Sequence, residues 1–289
     1  MSLYTRISFT LFGRFSDGLA IFFPDLGDNL KKSGMKTSAK EYISTGMFTS
    51  FLFFLAEIPV LSFIFGIFFQ GIMLSLITAI TISVLLTVLI FYLFTKYPNT
   101  IILDRSKKID SLLPFASLFL STIAGTRLPL AQVFKIFAQN SKYGEVTEQI
   151  QVITNDIEVF GLDIHTALQK AIDRTPSKKM SEMLYGLLST SISGGDIAIY
   201  LREKSRTQMD DYRRAIIQFS KKITLFIELY LTGIILGAIF FVILTSIFSG
   251  ITGAGGNIIL LQSLVIFVFL PLLSAIFILL IKVSSPTGE

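Results

Sequence analysis

The residues that invite a chemical reading are Gly194-Gly195-Asp196, Glu57 and His165. A glycine–aspartate pair is where an intramembrane aspartyl protease would place one of two catalytic carboxylates. Such hydrolysis needs both aspartates at membrane depth, and neither apolar block of this chain holds one. His165 is the single histidine, and there is no cysteine, so a disulfide, a thiolate metal site and a cysteine nucleophile are all excluded. No Gly-x-x-x-x-Gly-Lys-Ser/Thr run occurs, so the chain carries no phosphate loop of its own. The expectation is a protein that is not an enzyme and needs no cofactor.

Glu57 reads differently. It lies in FLFFLAEIPVLSF, two residues before Pro59. A carboxylate at that depth costs a few kcal/mol unless paired or protonated, which makes it a functional candidate by default. Either it bonds polar groups of a neighbouring helix or backbone freed by the proline, or it serves coupling or subunit contact. Glu228 lies close to Lys221 and Lys222, and an interfacial position accounts for it.

These residues sit in a chain of 289 residues that is 52% hydrophobic and 16% charged, with 28 phenylalanines and a net charge of +5. Residues 46–95 contain no lysine or arginine and one acid, Glu57; residues 223–281 contain none and one acid, Glu228. Each block far exceeds the roughly 20 apolar residues that span a bilayer. Each breaks near its middle, at Gln70-Gly71 and between Ser249 and Asn257. Four membrane helices are therefore expected, at about 46–69, 72–95, 223–248 and 258–281. Of the 25 basic residues, 6 fall in 1–45, 18 in 96–222 and 1 in the tail. The positive-inside rule then puts both termini and the 96–222 segment in the cytoplasm. Residues 15–34 predict one or two short amphipathic helices, lying on the inner membrane face or packed against the cytoplasmic domain.

Helical patterns punctuated by glycine or proline fit 102–124, 129–141, 145–160, 164–174, 177–192 and 196–222, and no stretch alternates long enough for a sheet. Gly161-x-Asp163-Ile164-x-x-x-Leu168 coincides with Gly194-Gly195-Asp196-Ile197-x-x-x-Leu201, 33 residues on, and a looser copy starts at Gly125. That period points to repeated helix–turn–helix units. The glycine closes one helix and the aspartate caps the next, so the Gly-Gly-Asp carries shape and not chemistry. Thr175 before Pro176 reads as another cap. From Asp196 to Phe248 there is no proline and no glycine before Gly233, which predicts one helix running from the cytoplasmic module into the membrane. The fold class expected is an all-α polytopic membrane protein: four transmembrane helices and a cytoplasmic six-helix bundle of repeated helix–turn–helix units. Its segments are an amphipathic region (1–45), a first hairpin (46–95), the cytoplasmic domain (96–222), a second hairpin (223–281) and a tail (282–289).

The cytoplasmic segment holds 18 basic and 13 acidic residues. Arg127, Lys135, Lys170, Arg174, Lys178 and Lys179 fall near the repeat turns; Arg202, Lys204, Arg206, Arg213 and Arg214 lie on the long helix. Such groups suit an acidic protein surface or anionic lipid headgroups, or they serve orientation alone. Nothing asks for nucleic acid.

This order of parts resembles the F-domain platform proteins of type II secretion, type IV pilus, Tad pilus and archaellum machines. The segments LFLSTIAGTRLPLAQVFKIFA, FGLDIHTALQKAIDRTPSK and LLSTSISGGDIAIYLREKS carry the likeness, with FPDLGDNLKKSGMKTSAKEYIS and LPLLSAIFILLIKVSSP at the ends. The resemblance implies a non-enzymatic platform in the cell membrane that contacts a cytoplasmic hexameric ATPase and moves pilin-like subunits into a fibre. It departs from longer members in having one F domain, which implies a second F-domain subunit, of the same or a sister chain. On this reading the ATPase meets Arg127, Lys135, Arg174, Lys178, Lys179, Arg202, Lys204, Arg206, Arg213 and Arg214. The structural turns are Gly125, Gly161, Asp163, Gly194, Gly195 and Asp196, and Glu57 is the intramembrane coupling candidate. A small transporter or channel subunit is the alternative, but it would want more polar residues along the membrane helices. The topology predicts that protease added outside intact cells leaves residues 96–222 uncut; cleavage there would reverse the orientation.

Overall fold

The computed structural model describes residues 3–68, 71–140, 142–252 and 255–283. Among them there is no strand. The helices are α1 (Leu3–Ala20), α2 (Leu26–Ser33), α3 (Ala39–Phe68), α4 (Ile72–Ala124), α5 (Leu130–Asn140), α6 (Glu145–Glu158), α7 (Ile164–Arg174) and α8 (Lys178–Ile192). They are followed by α9 (Ile197–Leu229), α10 (Gly237–Thr252), α11 (Gly255–Leu264) and α12 (Leu270–Val283). Tyr230–Leu236 and Val265–Phe269 are π-helical turns joining α9 to α10 and α11 to α12. Four helical stretches are long and apolar enough to cross a membrane: Ala39–Phe68, Ile72–Ala124, Ile197–Ile251 and Ile258–Lys282. Of the breaks expected between them, Gln70 and residues 253–254 lie outside the described residues, as does the tail from 284 onward.

Two compact units interleave along the chain, 1–110 with 130–195, and 111–129 with 196–289. In the first, α3 begins with a reciprocal capping box. Ser38 Oγ accepts from the Glu41 amide at 3.2 Å, and Glu41 Oε2 accepts from the Ser38 amide at 3.1 Å. The helix therefore starts seven residues before the apolar block. Tyr42 stacks on Phe94 at 4.7 Å and donates to the Phe94 carbonyl at 2.9 Å, pinning α3 to α4. One turn on, a Cβ on Gly46 would sit 2.7 Å from the Phe94 ring, so only glycine permits this approach. Leu26, Leu30, Tyr42 and Ile43 form a small core at that end, with Leu19, Phe23 and Met35 packed on it.

The N-terminal segment is more helical than the sequence suggests. α1 runs from Leu3 and lies against α3, with Tyr4 and Phe12 edge-on to Phe48. α2 touches both α3 and α7. α5 to α8 pack in sequence around Phe134, Phe137, Ile150, Ile153, Leu168, Met180 and Met183, all fully buried.

The repeat turns behave as their residues dictate. Gly161 and Gly194 adopt φ of +66° and +69°, open to glycine without strain. Asp163 accepts from the amides of His165 and Thr166 at 3.0 and 3.1 Å; Asp196 accepts from Ala198 and Ile199 at 2.8 and 3.0 Å. Two expectations need correction. In the loose first copy the left-handed residue is Arg127 (φ +60°), not Gly125. At α8 the cap is Ser177, which accepts from the Met180 amide at 3.1 Å, and not Thr175, whose hydroxyl finds no partner. Thr175 is held extended by the proline that follows it, which points its hydroxyl away from α8.

A further correction concerns α4. Its 53 residues join the expected spans at 72–95 and 102–124 in one helix. The boundary at 95 marks a change of polarity and not of backbone, and the helix runs on through Pro98 and Pro114. The expected long helix is present: Ile197–Ile251 is continuous over 55 residues, about 80 Å, and regular through Phe219–Lys222.

The Thr166 hydroxyl and amide, with the His165 amide, hold the Asp163 carboxyl below its ordinary value. A carboxyl with a lower pKa in the folded state stabilises the fold above its unfolded value, and that contribution disappears as pH falls through the folded one. Asparagine also caps but does not titrate. Thermal unfolding should therefore show wild type losing stability relative to Asp163→Asn as pH is lowered from about 5 to about 3.

Candidate functional site: a basic cleft on the long helix

In the second unit, α9 presents Arg202, Arg206, Asp210 and Arg213 at helical spacing along one face. Opposite stands the end of α4, with Ser121, Thr122, Gly125 and Thr126. Between them lies a cleft of about 860 Å³. Phe115 packs edge-on against Tyr212 at 5.2 Å, which ties α4 to α9 beside it. The hydroxyls in the wall are turned inward to their own helices: Ser121 and Thr122 donate to the Leu118 carbonyl, Thr126 to Ile123, and Ser205 to Arg202. They leave the guanidinium groups as the strong hydrogen-bond donors of the cleft. Arg202, Arg206 and Arg213 are exposed, and no salt bridge ties any of them among the described residues. Three free guanidiniums beside a single carboxylate make a surface for carboxylates, in which arginine can bond both oxygens at once.

The other basic candidates separate into different environments. Lys135 pairs with Glu158 at 2.7 Å and Arg174 with Asp156 at 3.5 Å, both inside the first unit. Arg214 is bonded to Asp211 one turn back. Lys178 and Lys179 are exposed in the first turn of α8, and Arg127 is exposed in its turn. Lys204 is half-buried and does not line the cleft. His165 Nε2 lies 3.1 Å from Ser191 Oγ, and among the described residues no group of acidic residues or histidine could hold a metal. Glu57 has an oxygen shielded from solvent and without a hydrogen-bond partner.

Sequence reasoning missed the strongest polar contact in the first unit. Arg105 on α4 grips Glu145, the first residue of α6, with Nη2–Oε2 at 2.8 Å and Nε–Oε2 at 3.1 Å. The same guanidinium donates to the Lys32 carbonyl at the end of α2, at 3.3 Å. Both side chains are only about one-fifth exposed. Glu145 also sits where the positive end of the α6 dipole favours an acid. Similarly unseen was Ser177, whose hydroxyl donates to Asp110 while capping α8.

Comparison with known proteins assigns the region around the cleft. Residues 116–245 match the family described as type II secretion system (T2SS), protein F. Residues 116–245, 45% of the chain, are thus similar to a type II secretion F domain. The match begins inside α4, takes in both repeat turns and the cleft, and ends in α10. An uncharacterized protein of Methanocaldococcus jannaschii is 27% identical over 134 residues, which is 46% of this chain and 22% of that protein. The chain thus matches less than a quarter of this relative's length. No solved structure matches.

Removing one side of the Arg105–Glu145 pair should cost about 2–3 kcal/mol, because it strands a charged partner away from water. Urea unfolding of Arg105→Ala, Glu145→Ala and the double variant should show the double costing less than the two singles together.

Proposed function

We propose that the protein is a platform of a type II secretion or type IV filament machine, and that the cleft between α4 and α9 is where a cytoplasmic secretion ATPase docks. The observation that carries the reading is the convergence of Arg202, Arg206 and Arg213 at the start of a helix that continues, unbroken, into the membrane. An acidic loop or helix end of the ATPase would enter the cleft and bond the guanidiniums. Its conformational cycle would pull on α9, and the third membrane span would feel that pull directly. The chain would supply no energy of its own, since it contains no phosphate loop.

The remaining parts of the reading follow from the resemblance and the charge distribution. Both termini and residues 96–222 face the cytoplasm of the cell membrane. Pilin-like subunits are the cargo, a second F-domain subunit completes the platform, and anionic lipid meets the basic turns. α9 meets the expectation of a lever better than a hinge, because its backbone is regular from Ile197 to Leu229.

Charge reversal separates the cleft from general basicity. Arg206→Glu with Arg213→Glu should weaken co-purification of the co-expressed secretion ATPase about tenfold or more, with membrane insertion unchanged. Lys178→Glu with Lys179→Glu changes the same net charge outside the cleft and should leave co-purification near wild type. Equal effects of the two pairs would refute the cleft as the docking site.

A further inference from the structure

α1 is held against the very start of the first membrane span. The Tyr4 and Thr49 hydroxyls share a hydrogen bond of 2.8 Å, and Ser8 Oγ lies 3.4 Å from Thr45 Oγ1. The Phe12 ring stands 6.3 Å from that of Phe48 and 5.9 Å from that of Phe51. Tyr4, Ser8 and Phe12 span two turns of α1, yet all three meet α3 between Thr45 and Phe51. That is the level at which α3 changes character: Lys40 and Glu41 precede it, and the apolar block begins at Gly46. In a spanning helix such a change marks the boundary between headgroups and acyl chains.

Three stripes run side by side along α1. Ser8, Phe12 and Ser16 form the packed one, in which both serines are fully buried. Beside it Ile7, Leu11 and Phe15 repeat every four residues, and they are 45, 59 and 67% exposed. Beyond them Arg6, Thr10 and Arg14 repeat at the same spacing, all exposed. Among the described residues no acid pairs with either arginine, and α1 contains one acid, Asp17. The apolar surface does not stop at α1. Phe12 shares with Phe54 of α3 and Val88 of α4 an apolar groove of about 420 Å³ around Ser50.

A bare apolar stripe bordered by arginines, held at the acyl boundary and continuous with two spanning helices, is the layout of a helix that lies in the membrane interface. The bilayer that surrounds α3 already reaches this level, so it covers the stripe without any further partner. We infer that α1 is an in-plane lipid-binding helix, in which Ile7, Leu11 and Phe15 enter the acyl layer and Arg6 and Arg14 hold headgroups of anionic lipids. A guanidinium can bond two oxygens of one phosphate. A zwitterionic headgroup offers the same phosphate but offsets its charge with a cation, so the net attraction favours anionic lipid. In the sequence this expectation falls on residues 15–34, whereas the exposed stripe of α1 ends at Phe15. The inference needs only that α3 crosses a bilayer, and it stands apart from the reading of the cleft on α9.

The chain contains no tryptophan, so a single introduced indole reports alone. Full-length Phe15→Trp is reconstituted in vesicles of phosphatidylcholine and phosphatidylglycerol, with Ile192→Trp, exposed at the end of α8, as the control. Phe15 is exposed, so the larger ring disturbs no packing, and circular dichroism reports whether the helices are kept. Bromine on the acyl chains of both lipids should quench the Phe15→Trp emission about twofold or more and leave Ile192→Trp unchanged. Bromine on one lipid at a time, in otherwise identical mixtures, reads which lipid sits beside α1. Phosphatidylglycerol should be enriched there at least about threefold. Arg6→Gln with Arg14→Gln should remove that enrichment while quenching by the fully brominated mixture persists. Emission that ignores the bromines and responds to iodide in the water overturns the inference. So does equal quenching by the two lipids, or an enrichment that survives the double variant. Emission that ignores bromine and iodide alike but changes with the protein-to-lipid ratio overturns it in favour of a second copy on the stripe.

Discussion

A bilayer core offers no water to an unpaired polar group, and this constraint organises both hairpins. It accounts for two blocks from which every basic residue has been excluded. It also accounts for the inward turn of serine and threonine hydroxyls onto carbonyls of their own helices, as at Thr87, Thr245 and Ser246. Where longer polar side chains enter the second hairpin, Gln262 and Tyr230 find partners on the facing helix, next to a π-helical turn that re-aims the backbone. The first hairpin departs from this pattern at Glu57, Ser50 and Ser83, which have shielded oxygens without a hydrogen-bond partner.

The helices between the two hairpins follow a different logic, in which glycine and aspartate work as a pair. A left-handed glycine ends one helix, and two residues later an aspartate collects the free amides of the next. The motif that first suggests a catalytic acid is thus fully occupied by backbone. Its carboxylates point at amides of their own first turns, and no second acid joins them to make an acid–base pair. The same turn geometry recurs with Arg127 in the left-handed position, which shows that the turn depends on the conformation more than on the glycine.

Charge between the two hairpins divides into structural and available groups. Arg105, Lys135, Arg174 and Arg214 are bound to acids. Arg202, Arg206 and Arg213 stay free, share one face of α9, and meet the end of α4 across a cleft. A guanidinium with no acid bonded to it keeps its full capacity to bind two carboxylate oxygens, so availability, more than number, distinguishes the arginines of this cleft. In a segment with 18 basic residues, a count of arginines would not separate the two kinds.

The sequence by itself determined the four apolar spans, the all-helical class, the repeat turns at Gly161 and Gly194, and the continuity of the helix through Phe219–Lys222. Each of these is a local or compositional property: bilayer thickness sets a length, and helix caps involve residues two or three apart. Only the tertiary structure decided which arginines are free, because an ion pair such as Arg105–Glu145 joins residues 40 apart whose types alone do not announce each other. Only the structure separated Ser177 from Thr175 as a cap, since the proline between them acts through backbone direction. Likewise, the isolation of Glu57 was visible in the sequence as a missing cation. The groove that α1, α3 and α4 form around Ser50 depends on packing, in which Gly46 lets α3 close on Phe94 and α1 folds back across α3.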